Sequence, residues 1–436
     1  MRRLRLALSF LPVLALILAA PVAHAQEKWV TAWAASVQGP FPVGNPSAQP
    51  DLRFAFPSPA TGARDQTFRL IVTPDIWGRE MRLRLSNALG TRPVTFDGAR
   101  VGLQLASARV VAGSNRPVSF AGKPSVTVAP GESVWSDAVA LPFANDGAVL
   151  AGRRLAITFH VAGESGPMTW HAKALTTSYV SAPGAGAITS DDEAAFPFST
   201  ASWYFLDAVD MMASADTQLI VAFGDSITDG TASTINGEDR WPNVLSRRLH
   251  AAGRKVSVVN AGIGGNQVVG PVEYSPQKPF AGGPAAGARL ERDVLSLSAL
   301  SAVIWLEGIN DFSKNGNASV EAVEAGMKEI VGRLRARTPG VRVIGATLTS
   351  ALGSSNAAHG FPEQDEKRKA INEFIRTSGL FDGVADFDKA TLDPQTGGLK
   401  AEFIPESTTG GPGDKLHPNR AGYLAMGMAI NLDLLK

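Results

Sequence analysis

The sequence predicts two folds in one chain: an all-β sandwich or jelly roll, then an α/β domain with a doubly wound, flavodoxin-like parallel sheet. Three observations predict this. Before about residue 216, apolar and polar residues alternate in short runs between turn signals. From about Thr217, continuous apolar runs alternate with helical stretches, the texture of buried parallel strands and crossover helices. The 436 residues, 44% hydrophobic and 19% charged, suffice for two or three cores.

The first 25 residues read as a leader rather than as fold. Arg2, Arg3 and Arg5 form a basic start, Leu6 to Ala20 is apolar, and Ala23-His24-Ala25 fits a small-x-small cleavage site. The mature chain is expected to begin at Gln26 and to reach the periplasm or the extracellular medium. No later stretch is long and apolar enough to span a membrane. The absence of cysteine excludes disulfides, thiolate metal sites and lipidated cysteine. Without the three leader arginines, 38 basic residues face 40 acidic ones, about −2, which gives no footprint for nucleic acid or an anionic membrane.

Residues 27–216 carry the β texture. Met81-Arg82-Leu83-Arg84-Leu85-Ser86 and Leu155-Ala156-Ile157-Thr158-Phe159-His160-Val161 alternate, which predicts one buried and one solvated face. Ala88-Leu89-Gly90 and Ala129-Pro130-Gly131 mark turns, and Pro40 to Pro59 is an irregular surface segment.

Residues 217–436 carry the α/β texture. Buried strands are expected at Gln218–Phe223, Val256–Asn260, Ala302–Leu306 and Val341–Ala346. Helices are expected at Trp241–Ala252, Arg289–Ser298, Ser319–Thr338, Gln364–Ser378 and Asn419–Leu435. In such a sheet, ligands bind at the carboxyl ends of the strands.

Four short blocks fall at those ends or before the last helix. Gly224-Asp225-Ser226 follows the first strand, where the serine is either a nucleophile at the sheet edge or a helix N-cap. Asn260-Ala261-Gly262-Ile263-Gly264-Gly265-Asn266 is either a loop that brings backbone N–H groups close to a ligand or a tight turn. In Glu307-Gly308-Ile309-Asn310-Asp311, the Asn310 amide either donates to an oxyanion or closes an Asx turn. In Asp414-Lys415-Leu416-His417-Pro418, an aspartate three residues before a histidine either orients its imidazole or belongs to a solvent loop. His160, His171, His250 and His359 lack such a partner and take structural or surface roles.

The four blocks in this order resemble the SGNH/GDSL hydrolase family over about residues 217 to 436. The resemblance implies a serine esterase with Ser226 as nucleophile, Asp414 and His417 completing the triad, and Ser226, Gly265 and Asn310 forming the oxyanion hole. Gly264 is the alternative to Gly265, and the spacing favours Gly265. Within the family, Arg240-Trp241-Pro242 and the glycine loop are similar to a subgroup of exported bacterial acylhydrolases, some of them linked to xylan and other plant-polysaccharide breakdown. The β-rich front is similar in layout to certain carbohydrate acetyl esterases. No H-E-x-x-H or P-loop is present, and no metal or organic cofactor is expected.

The leading expectation is deacylation, as deacetylation, of a carbohydrate or other small ester. The alternatives are a lipid-directed or broad short-chain acylhydrolase and, in another class, a carbohydrate-binding surface protein. Gly270–Gly287, with Tyr274 and Phe280 as candidate substrate contacts, and Ser350–Pro362 are expected at the substrate mouth.

Overall fold

Five apolar segments of the rear half line up as one parallel sheet, in the order Val256–Gly262, Gln218–Gly224, Leu300–Leu306, Arg342–Ala346, Gly383–Ala385. The computed structural model describes residues 26–144, 147 and 149–436, so the leader expected at residues 1–25 lies outside the described residues. The first strand of this sheet in sequence has its successors on both sides. The chain therefore reverses direction across the sheet at the end of Gln218–Gly224, which is where a doubly wound fold opens its ligand crevice. Helices Trp241–Ala251, Val320–Arg337, Pro362–Thr377 and Arg420–Ala429 are the longest on its faces. Pro242 and Pro362 sit in the first turns of theirs, where a missing N–H costs nothing. The helix expected at Arg289–Ser298 instead begins at Ala286 and passes into a π-helical turn at Glu291–Leu295.

The front half forms two large antiparallel sheets. One runs Glu27–Ala34, Leu206–Ser214, Glu80–Ser86, Ser133–Trp135. The other runs Phe198–Thr200, Ser178–Val180, Arg64–Val72, Leu155–Glu164, Val94–Ala106, Arg109–Val110. A single apolar cluster draws Leu83, Leu85, Val209 and Met211 from the first sheet and Phe68, Leu70, Val101 and Phe159 from the second.

The alternating strands do not have the solvated face that their pattern predicts. All residues of Leu155–Val161 are buried. Thr158 there accepts from Arg69 Nε, and Arg69, itself fully buried, donates to the carbonyls of Ala108, Ser190 and Asp192 under the ring of Phe196. The polar face of Glu80–Ser86 is covered by the rear half. Arg84 Nε donates to Asp207 Oδ1 at 2.6 Å and its Nη1 to Ser296 Oγ at 2.8 Å. Arg82 pairs with Asp210, which also accepts from Ser298 Oγ. A buried arginine is tolerable only with such partners.

The two halves share packing. Three residues, Ala215 to Thr217, join Leu206–Ser214 to Gln218–Gly224. Val30, Ala34 and Ala208 of the front half belong to the same apolar cluster as Phe223 and Trp305 of the rear half.

Candidate active site

The chain turns at Gly224, where a Cβ would lie 2.2 Å from the Leu306 carbonyl oxygen, so a side chain there would force the strands apart. Ser226 then opens a four-residue helix, Ser226–Asp229. The N-cap is Asp225, whose Oδ1 accepts the Ile227 N–H at 2.9 Å. Ser226 is thus excused from capping. Its Oγ lies 2.8 Å from His417 Nε2. As the first helical residue it has no carbonyl one turn back, so its N–H is free to bind a ligand.

His417 is held by Asp414 from three sides. Asp414 Oδ1 accepts the N–H groups of Leu416 and His417, and Oδ2 lies 2.7 Å from His417 Nδ1. Partial burial opposes the Asp414 charge, but these donors outweigh it and hold the carboxyl far below the usual carboxylate range. Asp414 stays ionised, which keeps the Nδ1 proton and turns Nε2 toward Ser226 as an acceptor.

The glycine loop is positioned from both halves. Gly264 N–H donates to Asp229 Oδ2 at 3.0 Å, and its carbonyl accepts from Asn45 Nδ2 at 2.7 Å. Gly265 N–H has no protein partner among the described residues, and its φ of +87° suits glycine. Of the two candidate donors, Gly264 is occupied and Gly265 is free. Asn310 spends one amide hydrogen on the Asn266 carbonyl at 3.0 Å and keeps the other.

Asp229, three residues after Ser226, carries no signal in the sequence. Beside Gly264, it lies 3.2 Å from His171 Nε2, while His171 Nδ1 is 2.7 Å from the Ser36 carbonyl. Burial works against this carboxylate, but His171, Lys173 and Arg240 together hold it below its ordinary range. Arg289, nearly fully buried, ties the Gly224 and Ala261 carbonyls to Asn266 Oδ1 beneath the site. Asp311 accepts the N–H groups of Val268 and Val269, and burial pushes it up to about 7.

These residues converge on a cavity of about 240 Å³. Ser226, Gly265, Asn310, His417 and Phe280 line it. Tyr274 does not line it: its hydroxyl is tied to the Gly39 carbonyl, and burial pushes the phenol up to about 12. The expected Tyr274 contact is therefore replaced by a latch between the Gly270–Gly287 segment and the front half. Asn45 and Lys173, which sequence did not place here, also line the cavity, and so does His359, from the Ser350–Pro362 segment expected at the mouth. No local pattern marks Asn45 or Lys173. They come from loops far from Ser226 in sequence.

The chain matches the model of the GDSL-like Lipase/Acylhydrolase family over residues 222–425. This part of the protein is a GDSL-like acylhydrolase domain. The acylhydrolase is a serine ester hydrolase. Among solved structures, a carbohydrate acetylesterase from Sinorhizobium meliloti is 15% identical, covers 50% of this chain and 100% of its own, with a TM-score of 0.37. The M. smegmatis aryl esterase is 17% identical, covers 49% and 95%, with a TM-score of 0.36. A lipase/acylhydrolase from Enterococcus faecalis is 22% identical, covers 49% and 92%, with a TM-score of 0.36. No curated protein matches the chain. The matched span of the acylhydrolase contains all four blocks, from Gly224 to His417.

Proposed function

We propose that the protein is an exported esterase that removes a short acyl group, such as acetyl, from a carbohydrate. The observation that carries this reading is the line Ser226 Oγ, His417 Nε2, His417 Nδ1, Asp414 Oδ2, with contacts of 2.8 and 2.7 Å. His417 takes the Ser226 proton as Oγ attacks the ester carbonyl. The N–H groups of Ser226 and Gly265 and the free amide hydrogen of Asn310 receive the oxyanion. Protonated His417 then delivers its proton to the leaving alcohol. Water, deprotonated by His417, cleaves the acyl-enzyme and restores Ser226.

Cavity size supports a short acyl group, since pockets for drug-sized ligands run about 300–1,000 Å³ and this one is smaller. Its lining supports a hydroxylated alcohol: Asn45, Lys173, Gln267, Asn310, Ser313 and His359 outnumber Phe280 and Leu416. Residues 27–216 act as an accessory domain built into the site wall, and residues 1–25 serve as the export signal.

Acetylated xylo-oligosaccharide, lysophospholipid and p-nitrophenyl esters of graded chain length test the reading. We expect turnover of the oligosaccharide and a steep fall in kcat/KM beyond about four acyl carbons. Efficient hydrolysis of lysophospholipid with none of the oligosaccharide would put the lipid-directed alternative in its place.

Asn310→Ala is expected to lower kcat by about 10²–10³, the scale of losing one oxyanion donor. The Asn310 backbone is anchored separately, with its carbonyl accepting from Ser313 Oγ at 2.7 Å, so the loop should keep its shape. Turnover close to wild type would remove Asn310 from the oxyanion hole.

A further inference from the structure

His359 is a second imidazole in the wall of the catalytic cavity, and its neighbours fix which nitrogen carries the proton. Gln364 Oε1 accepts the Gly360 N–H at 2.8 Å, and Gln364 Nε2 donates to the Ile309 carbonyl at 3.1 Å. These two bonds set the orientation of the Gln364 amide. The same Nε2 lies 2.8 Å from His359 Nδ1, so Nδ1 must accept and the proton sits on His359 Nε2. Protonating Nδ1 as well would set N–H against N–H. Burial and the neighbouring His417 both disfavour the cation and push this imidazole down to about 4. His359 is therefore a neutral, one-way donor at working pH. His359 Nε2 has no protein partner among the described residues and is not sealed from solvent, while the ring lines the cavity with Ser226 and His417.

The alcohol half of an ester must leave beside His417, the group that protonates it, and away from the oxyanion donors. His359 is close enough to His417 for the charge of that imidazole to weigh on it. We propose that His359 is a substrate-contacting specificity residue that donates Nε2–H to an alcohol-side oxygen next to the scissile ester, and so selects hydroxylated alcohols. This rests on the reading of Ser226 and His417 as the ester-cleaving pair, and it deepens the carbohydrate reading.

The test uses 2-hydroxyethyl acetate and propyl acetate, which differ by a hydroxyl in place of a methyl on the alcohol. Wild type is expected to prefer the hydroxy ester by kcat/KM. His359→Phe, which keeps the ring and loses the donor, should cut that preference about 3–10-fold, the worth of one neutral hydrogen bond. The quantity read is the ratio of the two esters, in which any change common to both cancels. His359→Gln, which keeps a donor, should retain most of the preference. If the Phe variant does not fold, His359→Met carries the same comparison. The proposal is overturned by a wild type without preference, by a donor-free variant that keeps it, or by an equal fall for both esters. An equal fall would mean that His359 only supports His417. Hydrolysis of acetylated xylo-oligosaccharide is scored separately. Its absence would overturn the carbohydrate reading while the matched pair still decides His359.

Discussion

Ser226→Ala is expected to abolish ester hydrolysis, by at least about 10⁴-fold in kcat, in a protein that still folds. The activity loss follows from removing the hydroxyl oxygen that lies 2.8 Å from His417 Nε2, the proposed proton acceptor. Folding survives because Ser226 does no structural work at its turn. Asp225 caps the helix, and the tight strand crossing is Gly224's. One hydrogen bond is lost, at about 1 kcal/mol. Turnover of p-nitrophenyl acetate, near-UV circular dichroism and labelling by a fluorophosphonate check the three parts. A folded variant that still turns over would sink the assignment of the nucleophile.

Residues 217–436 expressed alone are expected to yield no active enzyme. The matched family region looks self-sufficient in sequence, but it is not so in space. Without the front half, the apolar surface covered by Val30, Ala34 and Ala208 meets water. Asp229 loses His171 and Lys173, and stripping a partner from a buried charge costs about 3–5 kcal/mol. Gly264 loses the Asn45 bond to its carbonyl, so the loop next to Gly265 is freed on one side. Against a total stability of about 5–15 kcal/mol, these losses are decisive. Soluble yield, far-UV circular dichroism and acetate-ester turnover of the fragment decide it. A fragment within tenfold of the full chain would show that the front half is dispensable.

What the sequence made legible has a common property: it is local. Gly224-Asp225-Ser226 directly follows its strand. Asp414 reaches His417 three residues on, and Asn310 comes four residues after its strand ends. Apolar runs of five to seven residues declare buried strands, whereas Gly383–Ala385, with three residues, is too short to declare anything. What stayed hidden is long-range. Arg82 and Arg84 alternate with leucines as a solvated face would, and nothing nearby says that Ser296 and Ser298 cover them. His359 has no carboxylate close in sequence. Its partner is a glutamine five residues on, and its meaning depends on a cavity wall drawn from across the sheet. Tyr274 was a fair candidate by position, but its hydroxyl finds Gly39, a residue more than 200 positions earlier.

The grip on Gly264 has a consequence for how this enzyme can change. Its N–H is held by Asp229 from the rear half and its carbonyl by Asn45 from the front. Substitutions at these two positions act on one peptide unit and should be strongly epistatic, with double variants departing from the sum of the singles. A library confined to the four blocks would leave out the front-half residues that shape the pocket. New substrate range in such an enzyme would be reached by paired changes, one from each half, that move together.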